Sequence, residues 1–314
     1  MSWPTGCSTL RAWAPFWHPR RSGADIDRAR IRRNRFVPAW RHGAFLVIAC
    51  CLLSTAGGVS PDSSTLMARL CADLDASIHD ADALARSPSQ WTDQSLLVGA
   101  LAAGAVGGAF AMDNSVRHFV LGHTSAEANR LILPWQDYGN GLVAGGGAGV
   151  LYCSGLAFSN DWLTETGRCA LTALALTGIA TEVLKVVAGR ARPYMNEGPH
   201  HFSPFQWNDD SWSFPSGHAA TAFALSSALA ARIDNGYAAI PLYGVAAMTA
   251  VARVYGDQHW TSDVVTGALI GVAIGHFVGS RHRGTRHPNT SRIDIKPITA
   301  GTEAVGVAAS VSYF

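Results

Sequence analysis

The chain has 314 residues, of which 48% are hydrophobic and 15% charged, with a formal net charge of +2 and a mean hydropathy of +0.12. It is long enough for one sizeable core with appendages, and this charge balance gives no indication of a nucleic-acid partner. Six cysteines stand without a CxxC pair or a metal-ligand spacing, so the sequence predicts neither a metal site nor another cofactor.

Residues 1–56 are predicted to be a basic leader followed by a signal peptide or anchor. Nine arginines and two acidic residues fall in positions 1–41, without the aromatic interleaving of a nucleic-acid patch. The apolar run at 44–56 (AFLVIACCLLSTA) is short for a membrane span but suits the core of a signal peptide. Cleavage would follow Ala56, and a lipoprotein signal at Cys50 is the alternative.

Residues 57–93 are predicted to form an amphipathic helical extension. Leucine and isoleucine recur there at helical spacing, at Leu66, Leu70, Leu74 and Ile78. We therefore expect a surface helix that packs through this apolar side and has a structural role.

Residues 94–280 are predicted to form one helical domain. Its core helices are expected at about 95–112, 141–158, 166–188, 216–233, 238–254 and 262–279. The first two are rich in glycine and alanine, which would permit close helix contact. A polar connection at 113–140 would join the first two helices, and a long functional loop at 189–214 would join the third and fourth. The predicted fold class is all-α, with a six-helix bundle core.

Three clusters of charged and nucleophilic residues lie at the ends of these apolar segments. They are Lys185 with Arg192-Pro193, then Pro215-Ser216-Gly217-His218, then Arg253 with His259 and Asp263. The three cations could enclose a phosphate, because guanidinium groups grip its oxygens with paired hydrogen bonds. A helix opened by Pro215 would direct the unpaired amides of residues 216–218 at the same anion.

The two histidines of these clusters suit phosphoryl transfer. His259 and Asp263 are four residues apart, which on a helix places them on one face. The carboxylate could then hold one imidazole nitrogen and leave the other free to attack phosphorus. His218 remains as a second imidazole that could act as an acid. Such a set is sufficient for phosphoryl transfer without a metal.

In this order and spacing, the segments KVVAGRARP, PSGH and ARVYGDQHWTSD resemble the three-part signature of the type-2 phosphatidic acid phosphatase superfamily. That superfamily also contains bacterial class A acid phosphatases and vanadium haloperoxidases. The resemblance covers roughly residues 94–280. Ala252 departs from it, since the family usually has serine before the arginine of the third segment. A phosphate or structural hydrogen bond is therefore expected to be missing, but no catalytic group.

The resemblance implies a role for each residue of the clusters. His259 would attack phosphorus and form a phosphohistidine, Asp263 would orient and charge-balance it, and His218 would protonate the leaving oxygen. The phosphoryl oxygens would be bound by Lys185, Arg192, Ser216, Gly217 and Arg253.

The loop 189–214 carries large rings and histidines between the first two clusters. These rings could contact a lipid chain at the site entrance, or anchor the loop, and both interpretations stay open. Asp209 and Asp210 are expected to be solvated or to repel anionic headgroups. Residues 281–314 are predicted to be a basic linker followed by a small β-hairpin around Gly301.

Two features of the sequence give opposite indications of the side of the membrane that the site faces. Export through 44–56 followed by six spans would place the catalytic loops on the cytoplasmic side, and segments of 15–18 residues are short for spans. The basic residues after 280 instead favour a cytoplasmic C-terminus and an outward-facing site. We favour a bundle in the inner membrane of a bacterial envelope with a periplasm-facing site over an exported soluble protein.

The predicted function is a metal-independent phosphatase that acts on a phosphate or diphosphate monoester of a membrane lipid. The alternatives are a soluble periplasmic non-specific acid phosphatase, a vanadate-dependent haloperoxidase that uses the same pocket, and a non-catalytic relic. The expected partners are a phosphorylated lipid and the membrane, with no nucleic acid. The sequence identifies neither the particular lipid nor the oligomeric state.

Overall fold

A computed structural model describes residues 63–283, together with the backbone of two strands at 292–300 and 304–312. The basic leader and the apolar run at 44–56 lie outside the described residues, as does the turn predicted around Gly301. The described chain is mostly helical, as the sequence predicts.

Eight α-helices are present in residues 63–283. They are α1 (Ser63–Arg86), α2 (Asp93–Gly122), α3 (Ala126–Ile132), α4 (Gly141–Ala157), α5 (Asp161–Ala188), α6 (Gly217–Ile233), α7 (Gly236–Tyr255) and α8 (Thr261–Arg281). Short 3-10 helices lie at Ser87–Gln90, Leu133–Gly139, Pro193–Met195 and Asp209–Ser211. Strands β1 (Arg292–Ala300) and β2 (Ala304–Ser312) are antiparallel, with Arg292 opposite Ser312.

Polar side chains set most of the helix starts. Each caps a helix by accepting a hydrogen bond from a backbone N–H of the first turn, which would otherwise lack a partner. The capping residues are Thr92, Ser125, Asn140, Asn160, Ser216 and Asn235. At the other end of α5, Gly189 ends the helix in the left-handed region at φ 58°. These signals explain why all six predicted core helices overlap observed ones.

Helix α2 is longer than predicted. The sequence prediction ended it at residue 112, because Asp113 and Asn114 interrupt the apolar run, but the helix continues to Gly122. Asp113 is 1% exposed and accepts hydrogen bonds from the backbone N–H and the hydroxyl of Ser262 on α8. A tertiary contact therefore extends the helix through residues that are typical of connections.

The glycines of α8 form its contact with α6. Gly267, Gly271, Gly275 and Gly279 recur every fourth residue, and a Cβ built on them would lie 2.3–2.6 Å from carbonyl oxygens of α6 and of its N-cap, Ser216. This spacing places all four on one helix face. The backbones of α6 and α8 approach so closely because no side chain separates them.

The predicted role for the glycines of α2 and α4 is wrong for most of them. A Cβ on Gly99, Gly104, Gly107 or Gly108 of α2 would meet no atom within 4 Å, and the same holds for Gly145 to Gly147 and Gly149 of α4. Gly155 is the exception, because its Cβ position lies 2.2 Å from Thr164 N on α5. Composition alone does not indicate which helix face meets a neighbour.

Four of the described helices are long and apolar enough to cross a membrane. They are α2, α5, α7 and α8, whereas α4 is apolar but has only 17 residues. Helix α2 is the least covered of the four, with 6% of its apolar window buried. An apolar helix surface of this kind is typical of contact with lipid.

Helix α1 does not pack through the predicted apolar side. Leu74 and Ile78 are 63% and 58% exposed. Asp73 instead accepts from Tyr152 Oη at 2.6 Å and Asp80 accepts from Arg168 at 3.2 Å, while Leu84 near the end of the helix packs against the core. The apolar periodicity gave the helix correctly but assigned the wrong face to the protein.

Candidate active site

The three sequence clusters meet at one end of the helical domain. Lys185 lies in the last turn of α5, Arg253 in the last turn of α7, and His218 in the first turn of α6. Lys185, Arg192, Arg253 and His259 all lie close enough to His218 to influence it electrostatically. Lys185 Nζ also lies 3.1 Å from the position that a Cβ on Gly217 would occupy. The predicted site residues are therefore neighbours in space.

Each cation of the cluster has a polar partner. Lys185 Nζ lies 2.5 Å from Glu182 Oε1, and Arg253 Nη1 donates to Gln136 Oε1 at 2.8 Å. Arg192 donates to both the carboxylate and the carbonyl oxygen of Asp209, at 2.7 and 2.8 Å. Asp209 was expected to be solvated, and its side chain is 77% exposed, but it also binds this guanidinium. A phosphate that enters here would compete with that carboxylate.

The start of α6 differs from the prediction in two details. The helix begins at Gly217 with Ser216 as its N-cap, so Pro215 precedes the cap and does not open the helix. The backbone N–H of Ser216 was expected to face an anion, but it donates to the carbonyl oxygen of Asp263 at 2.9 Å. This bond joins the start of α6 directly to the first turn of α8.

His259 is held mainly by a backbone carbonyl. Its Nδ1 donates to Ser213 O at 2.7 Å, whereas the nearest oxygen of Asp263 lies 3.8 Å away. The sequence predicted that the Asp263 carboxylate holds this nitrogen. That prediction is wrong, because the two groups form no direct hydrogen bond at this distance. His259 precedes α8 and is not on the same helix as Asp263, so the four-residue spacing does not align them. Because Nδ1 carries the proton, Nε2 retains its lone pair.

The carboxylate of Asp263 is fully buried and organises the start of α8. Its Oδ2 accepts from Trp260 N at 2.8 Å and from Ser213 Oγ at 2.5 Å. Ser213 thus contacts His259 through its carbonyl and Asp263 through its hydroxyl. The two residues are linked through Ser213.

Both histidines have pKa values well below the ordinary value. Burial is the main cause for His259, which is 3% exposed, followed by the charges of Arg192 and Arg253. For His218, which lies outside the four candidate spans, burial again comes first, and Arg253 and His259 add to the lowering of the pKa. Both imidazoles are therefore neutral at pH 7 when no anion is bound.

Sequence reasoning missed three residues of this site. Arg190 is fully buried and binds the Asp263 carboxylate, Asp113 binds Arg190, and Ser213 contacts both His259 and Asp263. Arg190 stands two residues before Arg192 in the first cluster, and Asp113 interrupts an apolar run. A charged residue in an apolar helix was a usable signal, since burial of a charge requires a partner.

Ala252, which departs from the family pattern, is fully buried beside Arg253. The Arg253 guanidinium is held by Gln136 from the 133–139 segment.

The aromatic rings of the loop 189–214 differ in their contacts. Trp212 Nε1 donates to the carbonyl oxygen of Gln206 at 2.8 Å, which anchors that ring. Trp207 is 78% exposed and free to contact another molecule. Trp212 therefore fits the anchoring interpretation, whereas contact of the exposed Trp207 with a lipid chain stays a prediction.

One group of possible metal ligands lies among the described residues, at the other end of α5 and α8. Single ligand atoms of Glu165, Cys169 and His282 lie within 4.8 Å of one another. His282 also lies 3.0 Å from Asp80 and from Glu165, and these carboxylates raise its pKa. Arg168 binds the same two carboxylates. A guanidinium beside both carboxylates makes this group an ion-pair network better suited to holding α1 than to holding a cation.

Comparison with known proteins identifies the domain. Residues 166–284 match the PAP2 superfamily. A lipid A 1-phosphatase of Porphyromonas gingivalis is 37% identical over 69 residues, which cover 21% of this chain and 15% of the relative. A lipid A 1-phosphatase of Rhizobium etli is 32% identical over 112 residues, which cover 35% of this chain and 47% of the relative.

The chain matches less than half of the length of these two relatives. A solved structure, the crystal structure of Aquifex aeolicus LpxE, is 20% identical with a TM-score of 0.42, over 53% of this chain and 94% of that one. The resemblance seen in the three sequence clusters is confirmed by the family match, which assigns residues 166–284 of this chain to the PAP2 superfamily.

Proposed function

We propose that this chain is a metal-independent phosphatase that hydrolyses a phosphate or diphosphate monoester of a membrane lipid through a phosphohistidine at His259. The observation that carries this proposal is the bond from His259 Nδ1 to Ser213 O, which leaves the Nε2 lone pair available. The imidazole is kept neutral by burial and by nearby cations. A neutral imidazole beside three phosphate-binding cations is suited to attack on phosphorus.

In the proposed reaction, Lys185, Arg192 and Arg253 bind the phosphoryl oxygens, together with Ser216 and Gly217 at the start of α6. The Nε2 lone pair forms the N–P bond as the bond from phosphorus to the leaving oxygen breaks. His218 protonates that oxygen and then takes a proton from a water molecule. This water attacks the phosphohistidine, the N–P bond breaks with its electron pair returning to Nε2, and inorganic phosphate is released. Asp263 balances the charge that develops on the His259 ring. The cations stabilise the transferring group, as in phosphoryl transfer generally.

The proposed location is the inner membrane of a bacterial envelope, with a six-helix bundle over residues 94–280. The four candidate spans support membrane insertion. Arg232, Arg281 and Arg283 lie at the ends of α6 and α8 that are remote from the site. Because basic residues that flank a span favour the cytoplasmic side, Arg281 and Arg283 at the end of α8 favour a cytoplasmic C-terminus and so support a site that faces the periplasm.

The assay for this proposal is phosphate release by purified full-length protein in detergent. Two relatives are named lipid A 1-phosphatase, so lipid A is the first substrate, followed by phosphatidate, phosphatidylglycerophosphate and undecaprenyl diphosphate. We expect release from at least one of them, with the same rate in EDTA. Release from no phosphorylated lipid would contradict the proposal. Equal rates on soluble aryl phosphates would favour the non-specific acid phosphatase, and halide oxidation with added vanadate and peroxide would favour the haloperoxidase.

The lowered pKa values predict the pH dependence of the rate. His259 must be neutral to attack, so the acid limb of kcat/KM should lie below its reference pKa of roughly 6.5. A bound phosphate counters the cations around His218 and raises its pKa, which favours the protonated acid. We therefore expect a bell-shaped profile whose basic limb lies at higher pH in kcat than in kcat/KM. Both profiles can be measured from about pH 4 to 9, and flat profiles would contradict paired histidines.

A further inference from the structure

A buried charge network lies behind His259. Asp263 Oδ1 accepts from Arg190 Nη1 at 2.5 Å, and the other end of the same guanidinium donates to Asp113 Oδ2 at 2.7 Å. Arg190 is therefore bound by two carboxylates, one from α8 and one from α2. Ser262 completes the network, because its N–H and its hydroxyl both donate to Asp113.

This network is sealed from water. Asp113, Arg190 and Asp263 are each at most 1% exposed, and the guanidinium carbon of Arg190 lies 4.5 Å from the Phe110 ring and 5.5 Å from the Trp260 ring. Arg190 also donates to the carbonyl oxygen of Pro199. Charges in such surroundings interact strongly because little solvent screens them.

The charges of the network do not cancel. One guanidinium and two carboxylates leave a net charge of −1, next to an imidazole whose other charged neighbours are cations. The groups that act on His259 are Lys185 of α5, Arg192 of the loop and Arg253 of α7, with His218 of α6 nearby and Asp263 at 3.8 Å. The carboxylates of Glu182 and Asp209 pair with Lys185 and Arg192, and among the described residues Asp263 is the carboxylate within 4.0 Å of the His259 ring.

The reaction creates a matching positive charge. When Nε2 forms the N–P bond, Nδ1 keeps its proton, so the ring of the phosphohistidine carries +1. Without Asp113, the positive charge of Arg190 would cancel the negative charge of Asp263, and the phosphohistidine ring would have no counter-charge. Asp113 neutralises Arg190 and so restores the negative charge of the Asp263 carboxylate.

Resting on the function proposed above, we propose that Asp113 and Arg190 are positioning residues for catalysis. Arg190 fixes the Asp263 carboxylate beside His259, and Asp113 sets the net charge of the network at −1 so that it stabilises the phosphohistidine ring. Neither residue touches the substrate, and both act through Asp263. A role of this kind predicts an effect on kcat and on the titration of His259, with little effect on KM.

The first test is Asp113→Asn, which changes the network charge from −1 to 0. We expect kcat for a soluble aryl phosphate to fall about 10- to 100-fold, the range typical of residues that support a directly acting group, with KM within about twofold. Because the imidazolium becomes less stable, the acid limb of kcat/KM should move to lower pH. Asp257→Asn is the matched control, since Asp257 lies two residues from His259 but binds Arg117 outside the network. The control should keep its acid limb in place.

The second test is Arg190→Gln, which changes the net charge of the network in the opposite direction to Asp113→Asn. It leaves two carboxylates and a net charge of −2, so its acid limb should move to higher pH, although kcat also falls because Asp263 is held less firmly. Opposite shifts in the two variants would support the proposal, since a purely structural role would lower activity without them. Unshifted limbs in folded variants, or shifts in the same direction, would overturn it. Loss of folding in both variants would assign the pair to stability alone and overturn it as well.

The outcome for the network is separable from that for the proposed function. If the wild-type protein releases no phosphate and forms no phosphoenzyme, the proposed function fails before any variant is compared. If the wild-type protein and Asp257→Asn are active with the same acid limb, the variants of Asp113 and Arg190 report on the network alone.

Discussion

His259→Ala is expected to reduce phosphate release by about 10⁴-fold or more, because it removes the nucleophile and leaves only substrate binding and electrostatic stabilisation. The side chain is 3% exposed and makes one side-chain hydrogen bond with a backbone carbonyl, so its removal leaves the helices in place. The measurement is release from a soluble aryl phosphate. Rapid quenching with labelled substrate should trap an acid-labile label on the wild-type protein and none on the variant.

His79→Ala is the matched control for this variant. His79 lies on α1, 71% exposed, and contacts Asp75 on the same helix. The control should retain full activity and label. If His259→Ala also kept full activity, or still acquired the acid-labile label, the phosphohistidine mechanism would be excluded. Equal thermal unfolding temperatures for the two variants would establish that the loss is chemical.

The helices and the three clusters could be predicted because their signals are local. Caps such as Asn160 and Ser216 stand next to apolar runs, and Gly189 stands just after one. Lys185, His218 and Arg253 each lie in the terminal turn of a helix, so their place in the chain also placed them at the end of the domain. Local patterns are reliable when the interaction that they describe is within a few residues.

The support of the site could not be predicted because it depends on distant contacts. Arg190 and Asp113 are 77 residues apart, and nothing in either segment indicates the other as its partner. The sequence also suggested a direct bond between His259 and Asp263, because spacing of four residues is meaningful only within one helix. Helix α8 begins after His259, so Ser213 from a separate loop makes that contact instead.

The contact between α6 and α8 depends on the spacing of glycines and not on how many glycines a helix contains. Glycine is as frequent in α2 and α4 as in α8, yet most of the glycines of the first two helices face open space. The useful signal was the regular spacing of four residues in α8. That contact also matters for the site, because α6 carries Ser216 and His218 at its start and α8 carries Asp263 at its own.

Gly271→Leu is therefore expected to destabilise the domain severely. A Cβ at this position would lie 2.3 Å from Ala220 O and 2.8 Å from Ala224 N, and both are backbone atoms that cannot rotate away. Helices α6 and α8 must move apart, and overpacking of this kind costs about 3 kcal/mol or more of the free energy of unfolding. Separation of the two helices also moves the Ser216 N–H from the Asp263 carbonyl oxygen. We expect a lower thermal unfolding temperature in detergent and, in the protein that remains folded, weaker phosphate release.

The matched control is Gly244→Leu on α7, where a Cβ would meet no atom within 4 Å. Both substitutions replace glycine with a better helix former, so each gains about 0.8 kcal/mol of helix propensity. Only Gly271→Leu introduces a clash with a neighbouring backbone. If both variants unfolded at the wild-type temperature, the close approach of α6 and α8 would be wrong. Since that approach brings the first turns of both helices together, the arrangement of His218 and Asp263 in one site would be wrong with it.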